Sequence, residues 1–170
     1  DVATLHQRLV HRVPGLPLEP HAPTCEDGLA PELELRQLEA IARAGRAPDL
    51  PRVVPTFLAL HALPPGADRG RHVLDAATRV VPDVAARGLA RFVDAYVDQN
   101  AFQVDEARAV GRAARAAGLG VRLHVGQFAD VGGAELAAEL GALSADHLEH
   151  VGEAGAATLP AFSTAVFVET

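Results

Sequence analysis

Stretches with the apolar spacing of a helix alternate with short apolar runs of strand length along most of this chain. In residues 32–44, four Leu and Ile side chains alternate with Glu, Arg and Gln at helical spacing, and Gly45 follows. This pattern predicts a helix. Residues 53–60 are a mostly apolar run of strand length. Residues 104–117 are rich in Ala and Arg and are followed by glycine, which predicts a second helix.

This alternation continues to residue 148 and predicts an α/β fold. We predict helices at 32–44, 73–86, 104–117 and 134–140, and strands at 53–60, 92–97, 121–125 and 142–148. Strands that alternate with helices favour a parallel sheet whose strands are joined by crossover helices. Residues 151–170 hold one further helical piece and then an apolar tail.

The first 31 residues have a different texture. Five prolines, at positions 14, 17, 20, 23 and 31, interrupt any regular element because proline lacks a backbone donor and restricts the residue before it. We therefore predict an irregular Pro-rich leader at 1–31 and a folded α/β unit at 32–170. A chain of 170 residues is shorter than the roughly 250 residues of a complete (β/α)8 barrel.

Composition narrows the classes of partner. The 22 acidic residues outnumber the 15 basic ones, all of them Arg, and the formal net charge is −7. This balance argues against nucleic acid or an anionic membrane as a partner, since both require clustered positive charge. No apolar run approaches the length of a membrane-spanning helix, and Cys25 is the single cysteine, so a disulfide within the chain is excluded. We expect a soluble, cytoplasmic protein.

Three of the predicted strands have a histidine at their carboxyl end: His61, His124 and His147. These ends of parallel strands meet at one edge of a sheet, where ligands bind in α/β proteins. One strand-end histidine is more often structural than functional, whereas three at the same edge favour a site. Neutral imidazole binds zinc and iron, and such a metal makes water nucleophilic at neutral pH. The spacing of the three histidines leaves open which of them binds a metal.

Two aspartates near these histidines are candidates for orienting an imidazole by a hydrogen bond: Asp130 and Asp146. Alternation along a strand sends neighbouring side chains to opposite faces, so Asp146 and His147 are expected to point apart. On that ground we predict that Asp146 is structural.

Three segments of the sequence are distinctive: 55–65 (PTFLALHALPP), 121–130 (VRLHVGQFAD) and 132–149 (GGAELAAELGALSADHLE). They resemble segments of the imidazolonepropionases, a family of the amidohydrolase superfamily. The last segment is the most specific of the three, and the likeness extends from about Glu32 to Glu149. It implies a partial (β/α)8 TIM barrel of the metal-dependent amidohydrolase type, covering roughly strands two to six or seven.

The resemblance also implies a role for individual residues. His124 matches the metal ligand at the end of the fifth barrel strand. Gln127 matches a Glu or Gln that contacts the substrate's ring, and His147 matches a catalytic histidine that orients or deprotonates the attacking water. His61 matches a histidine that contacts the imidazolone. The family therefore implies one zinc or iron ion, a homodimer, and hydrolysis of 4-imidazolone-5-propanoate to N-formimidoyl-L-glutamate in histidine degradation.

The sequence also departs from the family's pattern. The HxH metal-binding pair of the first barrel strand has no counterpart in residues 1–31, and the family's eighth-strand aspartate would lie beyond Thr170. Asp27 stands where the family has a substrate-contacting tyrosine. We therefore expect the 170 residues alone to bind metal weakly and to be inactive. The alternatives are a non-catalytic barrel remnant, or another cyclic amide hydrolase of the same superfamily.

Overall fold

The computed structural model describes residues 31–46 and 53–159, and they form a parallel sheet covered by helices. The strands are β1 (Thr56–Leu60), β2 (Phe92–Val97), β3 (Gly120–Val125) and β4 (Ser144–His147). The helices are α1 (Pro31–Ala44), α2 (Arg69–Asp75), α3 (Val81–Ala86), α4 (Val104–Ala116), α5 (Gly133–Leu140) and α6 (Glu153–Thr158). A π-helical stretch, Ala76–Val80, joins α2 to α3.

The four strands lie in the order β1-β2-β3-β4, and every neighbouring pair is parallel. Helices follow each strand in the chain, so each parallel pair is joined by a helical crossover. This arrangement confirms the predicted α/β fold. A run of consecutive parallel strands, each followed by helix, is what a part of a (β/α)8 barrel contains.

Burial alternates along the strands and separates two faces of the sheet. On β3, Val121, Leu123 and Val125 are buried, whereas Arg122 and His124 between them are only half-buried. The buried set joins one apolar cluster with side chains of the helices, including Val110 and Leu140. Arg122 and His124 therefore lie on the opposite face of the sheet, away from the helices.

The predicted helix at 73–86 is longer and less regular than the pattern indicated. Helix α2 begins at Arg69, where the Asp68 side chain caps it by accepting a hydrogen bond from the backbone N–H of Arg71. The π-helical stretch precedes Pro82, which occupies the first turn of α3. Proline has no N–H for the helical ladder, so a wider turn before it keeps the chain helical.

The other predicted elements are confirmed to within a few residues at their ends. Helix α1 begins at Pro31, one residue before the expected start, because proline suits the first helical position. Strands β1 and β4 are shorter than the apolar runs that predicted them. The leader up to residue 30 and the apolar tail at 165–168 lie outside the described residues. Among the described helices, none has the length and apolar character needed to span a membrane.

Replacing Gly133 with alanine should destabilise the fold. A Cβ atom there would lie 2.6 Å from the Cβ and Cγ1 atoms of Val125, so α5 could no longer pack as closely on β3. We expect a loss of about 1–3 kcal/mol in the free energy of unfolding, measured by urea denaturation at constant m-value. Gly70→Ala is the matched control. Its Cβ would meet only Asp68 Oδ1 at 3.6 Å, so its stability should stay within about 1 kcal/mol of the wild-type value. Equal effects of the two substitutions would contradict the packing argument.

Candidate active site at the carboxyl ends of the strands

Polar side chains gather on the sheet face opposite the helices, near the carboxyl ends of the strands. Asp94 and Tyr96 lie two residues apart on β2 and so share this face. The strand register places Tyr96 beside His124 and His124 beside Asp146. The imidazole of His124 therefore lies at the centre of a row that runs across three strands.

His61 reaches this face through an irregularity in β1. Leu58 pairs with Asp94 and Leu60 pairs with Ala95, so the register shifts by one residue at Ala59. Without that β-bulge, the regular alternation would turn His61 toward the helices. With it, the rings of His61 and His124 are 4.8 Å apart in an edge-on arrangement.

His147 joins His61 and His124 through a left-handed backbone; these three residues form the histidine cluster. Its register partner is Val125, which is buried on the helix side, so a regular strand would send His147 to that side as well. Instead His147 has φ 79° and Leu148 has φ 70°, a conformation that is uncommon for residues other than glycine. The ring of His147 consequently lies 5.5 Å from that of His124. Strained backbone of this kind is often found at functional sites.

This geometry changes the interpretation of Asp146. The expectation that Asp146 and His147 point apart is wrong, because both side chains approach His124. Asp146 Oδ2 lies 3.9 Å from His124 Nε2. Asp130 instead accepts hydrogen bonds from the backbone N–H groups of Gly132 and Gly152, so it holds the loops together rather than orienting an imidazole.

A buried carboxylate lies beneath the imidazoles. Asp94 is 3% exposed, and its Oδ1 atom is 2.9 Å from His124 Nδ1 and 3.3 Å from His61 Nε2. Burial acts to raise the pKa of Asp94, but the hydrogen bond with His124 and the proximity of His61 bring it below its usual value. The same hydrogen bond raises the pKa of His124 against the opposing effect of burial. Asp94 Oδ1 therefore shares a hydrogen bond with His124 and lies beside Nε2 of His61.

The outer side of the cluster is open. The side chains of His124 and His147 are each 29% exposed and that of Asp146 is 33% exposed. Potential ligand atoms of His61, Asp94 and His124 lie within 4.8 Å of one another. Imidazole and carboxylate groups are suitable ligands for zinc and iron. This set of imidazoles and carboxylates therefore suits a metal ion.

Gln127 is held at the rim of the cluster by two neighbours on or just after β2. Its backbone N–H donates to Asp98 Oδ2 at 2.9 Å, and the Tyr96 hydroxyl donates to its side-chain Oε1 at 2.8 Å. Asp98 is 1% exposed and also accepts hydrogen bonds from the backbone of Phe128 and Gln99. The ring of Tyr96 lies 6.4 Å from that of His124. These contacts join Gln127 to the histidine cluster.

The structure therefore brings His61, His124 and His147 together and connects Gln127 to them through Tyr96. The sequence pattern missed three residues of this site: Asp94, Tyr96 and Asp98. A signal for Asp94 was present, since a carboxylate inside a mostly apolar strand is rarely buried without a partner. No comparable signal marked Tyr96, because aromatic residues are common in strands.

A parallel α/β sheet with imidazoles and carboxylates at its carboxyl edge is the arrangement of barrel-type metal-dependent hydrolases. Comparison with known proteins narrows this class. The chain is 48% identical over 133 residues to the imidazolonepropionase of Methylobacterium sp. (strain 4-46). The matched residues make up 78% of this chain and 33% of that protein. The imidazolonepropionase of Myxococcus xanthus (strain DK1622) is 46% identical over 146 residues, 84% of this chain and 34% of the relative. No family model matches the sequence.

These similarities confirm the resemblance read from the sequence. The chain is related to the imidazolonepropionases, which are hydrolases, over about three quarters or more of its length. It spans about a third of the length of these relatives.

Tyr96 provides a direct measurement of the site's electrostatics, because it is the chain's single tyrosine. Burial raises the pKa of Tyr96, and the negative charges of Asp98 and Glu149 raise it further. We expect ultraviolet absorbance titration to give a midpoint above the value of about 10 for free tyrosine. Glu149→Gln should lower this midpoint slightly, since a nearby negative charge disfavours the phenolate.

The control for this titration is Glu139→Gln. Glu139 lies on α5, paired with Arg108 and Arg112, and should leave the Tyr96 midpoint unchanged. A midpoint that does not move in Glu149→Gln would contradict the placement of Glu149 near the phenol.

Proposed function

We propose that this chain provides the central catalytic residues of an imidazolonepropionase-type hydrolase. The reaction would open the ring of 4-imidazolone-5-propanoate by hydrolysis of a cyclic amide bond, giving N-formimidoyl-L-glutamate. The observation that carries the proposal is the meeting of His61, His124 and His147 at one sheet edge in a chain 48% identical to an imidazolonepropionase. The proposal includes a cytoplasmic location, a small-molecule substrate and a homodimer, and excludes nucleic-acid and membrane partners.

His124 is the residue proposed to hold a zinc or iron ion. The hydrogen bond between its Nδ1 and Asp94 leaves Nε2 on the open side, beside Asp146. When bound, such an ion would lower the pKa of water and polarise a carbonyl.

His147 is the proposed acid–base residue. Its Nδ1 lies 3.5 Å from Glu149 Oε1, so Nε2 is the nitrogen left to exchange a proton with the attacking water. Its left-handed backbone is supported by hydrogen bonds from the N–H groups of Leu148 and His150 to the carbonyls of Val125 and Gly126. The main chain that follows His147 is thus fixed to the end of β3 and the residue after it.

Gln127 and His61 are proposed to bind the substrate's ring. The hydroxyl of Tyr96 occupies Gln127 Oε1, so the side-chain amide N–H groups remain to donate to an acceptor on the substrate. His61 directs Nε2 toward Asp94, and its other ring nitrogen is left for the substrate. Together these contacts would hold the ring against the open side of the cluster and orient its carbonyl toward the attacking water.

A chimeric enzyme tests the proposed activity. In it, the 133 matched residues of the Methylobacterium sp. (strain 4-46) imidazolonepropionase are replaced by the corresponding residues of this chain. We expect the chimera to convert 4-imidazolone-5-propanoate, followed by NMR, and the isolated chain to give no measurable turnover. A chimera that shows native-like circular dichroism but no hydrolysis would count against the proposed function.

Two substitutions in the same chimera separate the proposed roles. His124→Ala should remove bound metal and activity together, because it deletes the proposed ligand. His147→Ala should keep the metal, measured by elemental analysis, and lower kcat by about 10²–10⁴-fold, the usual contribution of a positioned acid–base group. Retained activity in His124→Ala would refute the ligand assignment, and an unchanged kcat in His147→Ala would refute the acid–base role.

A further inference from the structure

We infer that Asp94 is a positioning residue that fixes His61 and His124 in opposite tautomers, so that His124 presents Nε2 to the metal. Sequence reasoning missed this residue, and its side chain is among the most buried polar groups of the described residues. The consequence for metal binding rests on the proposed function. The tautomers themselves follow from the geometry of this chain.

The argument begins with one oxygen atom that faces two rings. Asp94 Oδ1 lies 2.9 Å from Nδ1 of His124 and 3.3 Å from Nε2 of His61. An ionised carboxylate only accepts hydrogen bonds, so the ring nitrogens that face it carry the protons. His124 is then protonated on Nδ1 and His61 on Nε2. The unprotonated nitrogens, Nε2 of His124 and Nδ1 of His61, are the ones left free to bind.

Depth in the sheet distinguishes a positioning role from direct ligation by Asp94. In the strand register Asp94 pairs with Arg122, two residues before the pair of Tyr96 and His124. Its side chain is 5% exposed, whereas the side chains of His124, Asp146 and His147 are 29%, 33% and 29% exposed. An ion coordinated by Asp94 would lie in the closed interior, where water and substrate have little access. An ion on His124 Nε2 would lie on the open side, next to Asp146.

A carboxylate behind a metal-binding histidine has a general chemical effect. It fixes the tautomer and the ring orientation and makes the free nitrogen a stronger ligand, and loss of such a partner typically weakens metal binding by 10–100-fold. In this chain the same carboxylate oxygen also lies 3.3 Å from Nε2 of His61, the proposed substrate-binding ring. Asp94 would thereby align the metal ligand and a substrate contact with each other.

The first test measures tautomers in the metal-free chain by two-dimensional NMR of ¹⁵N-labelled histidines. The pH is kept well above the pKa of His124, and single histidine substitutions assign the signals. We expect His124 protonated on Nδ1 and His61 on Nε2. Asp94→Ala should release both rings into tautomer mixtures. Asp94→Asn keeps an oxygen acceptor at the same place and should preserve both tautomers. Glu139→Ala, which removes a carboxylate from the outer surface, should change neither ring.

The second test identifies the metal-binding nitrogen with ¹¹³Cd²⁺ as the probe. Coupling between ¹¹³Cd and Nε2 of His124 supports the positioning role, and we expect Asp94→Ala, which removes the acceptor, to bind Cd²⁺ about 10–100-fold more weakly. Coupling to Nδ1 of His124 would overturn it, because Asp94 would then lie on the metal's side of the ring. His124 protonated on Nε2 in the metal-free wild-type chain would overturn it as well. The two predicted tautomers without any Cd²⁺ binding would support the assignment of Asp94 and contradict the proposed metal site.

Discussion

The site depends on a negative charge that is almost completely withdrawn from water. A buried carboxylate without partners is strongly unfavourable, so Asp94 requires polar groups around it. The imidazoles of His61 and His124 supply them, and each comes from a different neighbouring strand. The contact therefore connects β2 with β3 and with the residue that follows β1, and it brings two imidazole rings to one carboxylate. Moving any one of these strands by a single residue would leave the charge without its partners.

The apolar side of the sheet provides the rigidity that this arrangement needs. Valine and leucine side chains of the strands pack against alanine-rich helices, and close approaches at Gly111 and Gly133 leave no room for a larger residue without displacement. On the site side, buried Asp98 binds three backbone N–H groups and so holds the loop that carries Gln127. A well-packed layer thus supports loops whose polar groups are fixed by hydrogen bonds rather than by packing.

Two backbone irregularities complete the cluster. The β-bulge at Ala59 turns His61 to the site, and the left-handed backbone of His147 turns that ring away from the helices. In a regular sheet only His124 of the three histidines would face the site, since alternation would send the other two to the apolar side. Backbone strain is tolerated where surrounding contacts hold it, and hydrogen bonds from Leu148 and His150 do so for His147.

The order of elements, the parallel sheet and the placement of histidines at strand ends were determined by the sequence alone, because hydrophobic periodicity is a local property of the chain. The similarity of residues 132–149 to the imidazolonepropionases was likewise present in the sequence. Only the tertiary structure decided which side chains meet. The role of Asp94, the inward turn of His61 and His147, and the approach of Asp146 to His124 depend on strand register and on departures from ideal alternation. Contacts between distant strands set those features, and a local pattern of apolar and polar residues carries no record of them.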